Sequence, residues 1–346
     1  MDTPKKILII RTDRMGDVVL STPVITNLRL AYPRAHIAFM CRPYTKDALD
    51  GNPNLDEIII YDKYGKQSSF LATVAFAIAL NRKNFDWALI LHPTNRAHFI
   101  SFLAAIPMRI GWNKKLSFLL NKKILHTKQE GKKHESDYTL QVLKELGIPI
   151  KTKELHFPIK KALAARVERL LSECGIEKGD TFTVVHPSAS CPSKRWPVEY
   201  FCQLTGRLFQ YGKVVVIASK FEKIFAQKII DSLGVIDFTG KLTIGELGAL
   251  LKRASLFISN DSGPVHIAAA LKTPVISIFG RNDAGLSPLR WKPLGENSYY
   301  LHKGSNCNRC LAHNCSRDYY CLKSIKPDDV YSIVHKIMSE KRTLYD

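Results

Sequence analysis

The run Arg11-Thr-Asp-Arg-Met-Gly-Asp17 puts two carboxylates, two guanidiniums and a glycine directly after the apolar stretch Ile7–Ile10. A carboxylate at such a turn can take a proton from an attacking hydroxyl, or can simply cap the helix that follows. Spacing alone leaves both readings of Asp17 open. The turn lacks G-x-G-x-x-G, which argues against a nicotinamide-dependent dehydrogenase or epimerase.

Three further constellations stand in the second half. Pro187-Ser-Ala-Ser-Cys-Pro-Ser-Lys-Arg-Trp-Pro197 gathers Ser188, Ser190, Ser193, Lys194 and Arg195, a donor-rich loop suited to a phosphate or a plain polar cap. Asn260-Asp-Ser-Gly-Pro-Val-His266 opens an apolar helix, whose first N–H groups and dipole favour a diphosphate. Here Asp261 or Ser262 is alternatively a cap, and His266 a core histidine. Cys307, Cys310, Cys315 and Cys321 form C-x2-C-x4-C-x5-C, either a tetrathiolate site for zinc or iron or a set of thiols, with His302 and His313 as reserve ligands.

These residues need a frame. Short strands are expected at Ile7–Ile10, His36–Cys41, Glu57–Tyr61 and Trp87–Leu91, with helices at Thr22–Ala31 and Phe70–Leu80. The second half repeats the pattern. Strands are expected at Thr181–His186, Lys213–Ala218, Val235–Phe238, Leu256–Ser259 and Pro274–Phe279. Helices are expected at Ala162–Cys174, Pro197–Tyr211, Phe221–Leu233, Ile244–Ala254, Val265–Leu271 and Asp328–Ser339. Parallel βαβ units in two α/β halves, joined near residues 150–160, predict two doubly wound domains facing a cleft.

The 346 residues carry 51 Lys and Arg against 31 Asp and Glu, a net charge of +20. That balance asks for an anionic partner: nucleic acid, acidic lipid or a phosphorylated substrate. Residues 82–133 hold 11 basic residues and only Asp86 and Glu130 as acids, so the basic surplus of the first half is concentrated there. The segment is a solvated face or a docking surface for an anionic acceptor, with Arg96, Arg109, Lys114 and Lys115 as candidate contacts. No apolar run is long enough to span a bilayer, and the N-terminus does not read as secretory, so a cytoplasmic location is expected. A zinc-bearing nucleic-acid binder is the non-enzyme alternative, but helix-turn-helix and RNP motifs are missing.

The chain resembles glycosyltransferase family 9, the ADP-heptose:lipopolysaccharide heptosyltransferases, type II more than type I. The resemblance rests on I-x-R-x-D-R-M-G-D-V-V-L-S-T-P (Ile9–Pro23), L-R-x-x-Y-P (Leu28–Pro33) and I-P-M-R-I-G-W (Ile106–Trp112). It continues through H-P-S-A-S-x-P-S-K-R-W-P (His186–Pro197), F-T-G-K-L-T-I-x-E-L (Phe238–Leu247) and S-N-D-S-G-P-V-H-I-A-A-A-L (Ser259–Leu271).

The resemblance implies a GT-B architecture of two Rossmann-like domains: 1–157 for the acceptor, 158–326 for the nucleotide sugar, and a helix in 327–346 crossing back to the first. It implies inverting transfer of L-glycero-D-manno-heptose from ADP-heptose to the inner core of lipopolysaccharide, with ADP released. Asp17 then matches the general base. Ser188, Ser190, Lys194, Asp261, Ser262, Gly263 and His266 match donor contacts, Glu222 the ribose and Leu242 the adenine. No cofactor is expected for catalysis, and peripheral contact with the cytoplasmic face of the inner membrane is. The cysteine cluster leaves open a branch that uses ADP-heptose on a protein or another glycan.

Overall fold

A computed structural model describes residues 3–342 apart from 305, 306, 308, 309 and 311. The chain divides into two compact units, Met1–Pro158 and Ile159–Asp346.

In the first unit the strands are β1 (Lys6–Ile10), β2 (His36–Cys41), β3 (Glu57–Ile60), β4 (Trp87–Ile90), β5 (Met108–Trp112) and β6 (Lys122–Ile124). The helices are α1 (Met15–Val19), α2 (Thr22–Ala31), α3 (Phe70–Asn81), α4 (Asn95–Leu103) and α5 (Glu135–Lys144). All strand pairs are parallel, in the order β3-β2-β1-β4-β5-β6. Leu8, Ile10, Ala38, Met40, Ala88 and Ile90 pack with Ala77 and Leu80 of α3 and Ala97 and Ile100 of α4. Strand alternation sends Ile7 and Ile9, equally buried, to the opposite face. Helix starts follow side-chain chemistry. Ser69 Oγ accepts from Ala72 N at 3.1 Å to start α3, and Thr94 Oγ1 from Ala97 N at 3.0 Å to start α4.

The second unit repeats this plan. Its strands are β7 (Phe182–His186), β8 (Lys213–Val216), β9 (Ile236–Asp237), β10 (Leu256–Asn260), β11 (Val275–Phe279) and β12 (Ser298–His302). The order β12-β11-β10-β7-β8-β9 is again wholly parallel. Helices α6 (Lys161–Glu173), α7 (Val198–Leu208), α8 (Gln227–Ser232), α9 (Ile244–Arg253) and α10 (Gly263–Ala270) alternate with them. The shorter α11 (Pro288–Trp291) and α12 (Tyr320–Lys323) precede α13 (Pro327–Arg342). Val330, Val334, Ile337 and Met338 of α13 are buried with Phe201, Leu204 and Leu208 of α7. Thr243 and Glu246 cap α9 reciprocally, at 3.3 Å and 2.8 Å.

The α/β class and parallel sheets are as expected, but several elements differ. The helix expected over Phe221–Leu233 is a 3-10 turn at Lys220–Phe225 followed by α8. Phe221 and Ile224 are 93% and 75% exposed, so the apolar pattern there buries nothing that would hold an α-helix. Helices α1, α4 and α5 and strands β5, β6 and β12 were not anticipated. Their segments mix polar and apolar residues without a clean period.

Candidate active site

In each sheet the strand order reverses beside its first strand: between β1 and β4 in the first unit, between β7 and β10 in the second. Loops leaving the carboxyl ends of those strands diverge there and open a crevice, the usual ligand position in such sheets. The loops after β1 and β4 carry Arg11, Asp13 and His92, and Asp17 stands in the first turn of α1 just beyond. The loops after β7 and β10 carry Pro187–Trp196 and Asp261–Gly263.

Arg11, 1% exposed, is the centre of the first cluster. Its Nη2 donates to Asp17 Oδ1 at 2.7 Å and to Glu135 Oε1 at 3.0 Å, and its Nε stands 2.9 Å from Asp13 Oδ2. Glu135, wholly buried at the start of α5, also takes Lys128 Nζ at 2.7 Å. Lys128 in turn donates to Leu91 O at 3.1 Å and lies 4.8 Å from the centre of the Trp112 ring. Trp112 Nε1 donates to the same carbonyl at 3.1 Å. Asp17 is the third residue of α1 rather than its cap, and its Oδ2 accepts from Arg14 N at 3.3 Å.

Three carboxylates thus face two cations. Burial pushes the Asp17 carboxyl up from the ordinary 3.8; Arg11 opposes this, and Asp13 and Glu135 add to it. Desolvation would lower Arg11, but the three acids raise it beyond its usual value. His92 Nδ1 lies 3.7 Å from Asp13 Oδ2, and burial takes its imidazole down to about 4, so it is neutral at pH 7. The result is a carboxylate oriented by a guanidinium within a cluster of net negative charge, and hence a stronger base than a solvated aspartate.

In the second unit, Asp261, 4% exposed, receives Arg281 Nη2 at 2.8 Å and Lys194 Nζ at 2.9 Å. Burial alone would raise its carboxyl, but Lys194 and Arg281 prevail and hold it below the carboxylate range. Two cations on one anion leave a surplus positive charge beside the N-terminus of α10, where Ser262 is the N-cap and Gly263 the first helical residue. Asn260 ties the two loops together: its Nδ2 donates to Pro187 O at 2.7 Å and its Oδ1 accepts from Trp196 N at 2.9 Å.

Beside this triad runs a hydroxyl–imidazole chain. His186 Nδ1 is 2.9 Å from Ser259 Oγ and its Nε2 is 2.8 Å from Ser188 Oγ. Ser259 Oγ meets Ser262 Oγ at 2.9 Å. Ser188 Oγ donates to Glu222 Oε2 at 3.3 Å, as does Ser219 Oγ at 2.8 Å. Burial takes the His186 imidazole down to about 4. Ser190 is exposed, Leu242 half-buried, and His266 buried in the first turn of α10.

The remaining expectations fare differently. Arg96 donates to the carbonyls of Lys63, Gln67 and Ser68, at 2.9, 3.3 and 2.7 Å. Arg109 donates to Leu119 O at 2.8 Å and to Ile106 O. Both guanidiniums brace loops, whereas Lys114 and Lys115 are exposed. The Cys321 thiol is raised by burial first and then by the nearby Cys310, Cys315 and Cys307. All four are free cysteines. However, among the described residues no group of three or more His, Cys, Asp or Glu side chains is placed to hold a metal ion. His313 Nδ1 faces Ser193 Oγ at 3.4 Å.

The description "Glycosyltransferase family 9 (heptosyltransferase)" matches residues 73–321. The chain belongs to this family. It is a glycosyltransferase, and the reading as a zinc-bearing nucleic-acid binder is set aside. Among its relatives, lipopolysaccharide heptosyltransferase 3 of Escherichia coli is 30% identical over 348 residues, covering 95% of this chain and 98% of that one. A solved glycosyltransferase family 9 member from Veillonella parvula superposes with a TM-score of 0.88 at 24% identity, over 98% and 99% of the two chains. E. coli heptosyltransferase WaaC with ADP-2-deoxy-2-fluoro heptose superposes with a TM-score of 0.72 at 19% identity, over 96% and 99%.

Sequence reading missed Arg11, Glu135, Lys128, His186, Asn260 and Arg281 as parts of these clusters. Arg11 stood in the quoted motif, and its position immediately after β1 was the available signal. Glu135 and Lys128 lie more than 100 residues from Asp17, and no local pattern joins them.

Proposed function

We propose that the protein transfers L-glycero-D-manno-heptose from ADP-heptose to a hydroxyl of the lipopolysaccharide inner core, with inversion at the anomeric carbon. The acceptor oxygen attacks the anomeric carbon as the bond to the β-phosphate oxygen breaks, and its electron pair leaves with ADP. The acceptor proton passes to Asp17. The observation that carries this reading is the Asp17 carboxylate, half-buried, held on Arg11 and raised in basicity at the switch point of the first sheet.

The second unit supplies what the donor needs. The surplus charge of Lys194 and Arg281 on Asp261, with the N-terminus of α10, suits a departing diphosphate. Glu222, already an acceptor for two serine hydroxyls, suits the ribose, and Leu242 the adenine. Support for the acceptor also comes from a relative whose name carries lipopolysaccharide, and for the donor from a solved neighbour that holds an ADP-heptose analogue.

The test is ADP release with ADP-heptose and heptose-deficient core lipid. Turnover by the wild type that collapses in Asp17→Asn, with donor affinity kept, is the expected result. Absence of turnover on every such acceptor would overturn the reading.

A further inference from the structure

Helix α3 carries no charged residue in twelve, and its outward side is apolar. Phe70 is 68% exposed, Leu71 78% and Ile78 54%, and Ala75 and Ala79 are exposed with them. Its other side is already used: Thr73, Ala77 and Leu80 are buried. The neighbouring α4 extends the patch. Phe99 packs on Phe70 with ring centres 5.4 Å apart, and Phe102 is 46% exposed. Isolated exposed apolar residues are ordinary, but a contiguous helix face of them marks a docking surface.

Charge decides what docks. Residues 63–85 contain Lys63, Lys66, Arg82 and Lys83 and no acid. Lys83 is paired with Glu57, while Lys66 and Arg82 are exposed. A second copy laid on this face by a twofold axis would bring cations onto cations. An anionic surface complements both features at once, apolar residues entering and cations at the helix ends meeting headgroups. At twelve residues the helix is too short to span a bilayer, so it lies along one.

The patch is also continuous with the site. A helix that returns across a parallel sheet starts at the carboxyl edge of the strands, the edge that carries Asp13 and Asp17. Tyr44 Oη donates to Asp13 O at 3.3 Å, and Arg42 lies 4.5 Å from the Tyr44 ring and 4.6 Å from the Tyr64 ring. Tyr64 is 72% exposed and precedes Phe70 by six residues.

We propose that the outward face of α3, with Tyr64 and Phe102 at its margins, is a bilayer-docking surface for anionic phospholipid. It rests on the proposed acceptor in that a lipid-borne acceptor gives such docking its use.

The experiment is co-sedimentation of the full chain with vesicles of phosphatidylethanolamine and phosphatidylglycerol, beside vesicles of phosphatidylcholine. The wild type is expected to bind the anionic vesicles at least about tenfold more strongly, since each cation near such a surface adds roughly a fivefold preference. Leu71→Glu with Ile78→Glu should lose that binding about tenfold or more while keeping its circular dichroism, its Tm and, within about twofold, ADP release on a soluble delipidated core acceptor. Lys66→Glu with Arg82→Glu should erase the preference for anionic lipid. The proposal is overturned if the wild type does not bind vesicles. It also falls if the variants bind as the wild type does, or if light scattering shows that they only dissolve a dimer. Vesicle binding without turnover on any acceptor would keep the surface and sink the transfer reading instead.

Discussion

Glu135 and Asp17 never touch, yet each takes the same nitrogen, Nη2 of Arg11, at 3.0 Å and 2.7 Å. A buried acid in α5 therefore sets where the guanidinium sits, and the guanidinium sets where the Asp17 carboxylate points. Lys128 on Glu135 closes the arrangement from behind.

Removing the far end of this chain is expected to matter at both levels. Glu135→Ala leaves Lys128 and Arg11 buried with one counter-charge fewer, a loss on the order of 3–5 kcal/mol for a broken buried pair. Thermal denaturation should show a clear drop in Tm, and turnover should fall without a matching rise in KM for the donor. Unchanged stability would mean that solvent reaches Lys128.

Asp17→Asn keeps the shape of the side chain and one acceptor for Arg11 but cannot accept a proton. The kcat is expected to fall by about 10²–10⁴, the usual worth of a positioned base, with donor affinity within about twofold. Calorimetric binding of ADP-heptose beside steady-state ADP release separates the two.

Acid should inhibit the wild type earlier than a solvated aspartate would allow. The Asp17 carboxyl is raised by burial, so protonation removes the base at a pH above the ordinary 3.8. For stability the sign is opposite, because a raised folded-state value costs stability only as pH climbs through it. A kcat/KM profile whose acid limb lay at or below the ordinary carboxylate value would exclude this group as the one titrating.

His186 makes the complementary prediction. Its folded-state value of about 4 lies below its ordinary 6.5, so the unfolded chain binds the proton first. Stability is present above about 6.5 and is lost as pH falls toward 4, by up to about 3 kcal/mol. Urea denaturation at pH 7 and pH 4.5 should show a smaller difference in His186→Gln than in the wild type.

On the donor side, Arg281→Ala and Lys194→Ala should each weaken ADP-heptose binding, about tenfold or more for a charge-assisted contact. Asp261→Ala should instead lower Tm, because the buried Arg281 and the half-buried Lys194 lose their shared counter-ion. Titration calorimetry and thermal scans on the three variants distinguish binding loss from folding loss.

Much of the frame was legible from the chain. Ile7–Ile10, His36–Cys41 and Leu256–Ser259 read as strands because they are short, apolar and bounded by turns, and parallel sheets demand such runs. The site loops followed from strand ends, so Asp17, Lys194 and Asp261 could be named. Their partners could not. Arg281 comes to Asp261 from the loop after the neighbouring strand β11, and Glu135 reaches Arg11 across 124 residues, contacts fixed by tertiary packing and not by spacing. The carbonyl partners of Arg96 and Arg109 were hidden for a related reason. A surplus of charge in sequence says nothing of which guanidiniums will be spent on carbonyls such as Ser68 O and Leu119 O. Lys128 went unnoticed among ten other basic residues because its burial depends on Trp112 and Tyr138 closing over it.

The indole of Trp112 shares the Leu91 carbonyl with Lys128 and lies beneath its ammonium. A chromophore so placed is an optical gauge of the cluster. With Trp87, Trp196 and Trp291 replaced by Phe, the emission of Trp112 would report whether Lys128 still points at Glu135. The state of the groups behind the Asp17 carboxylate can then be followed in real time, without substrate and without chemistry.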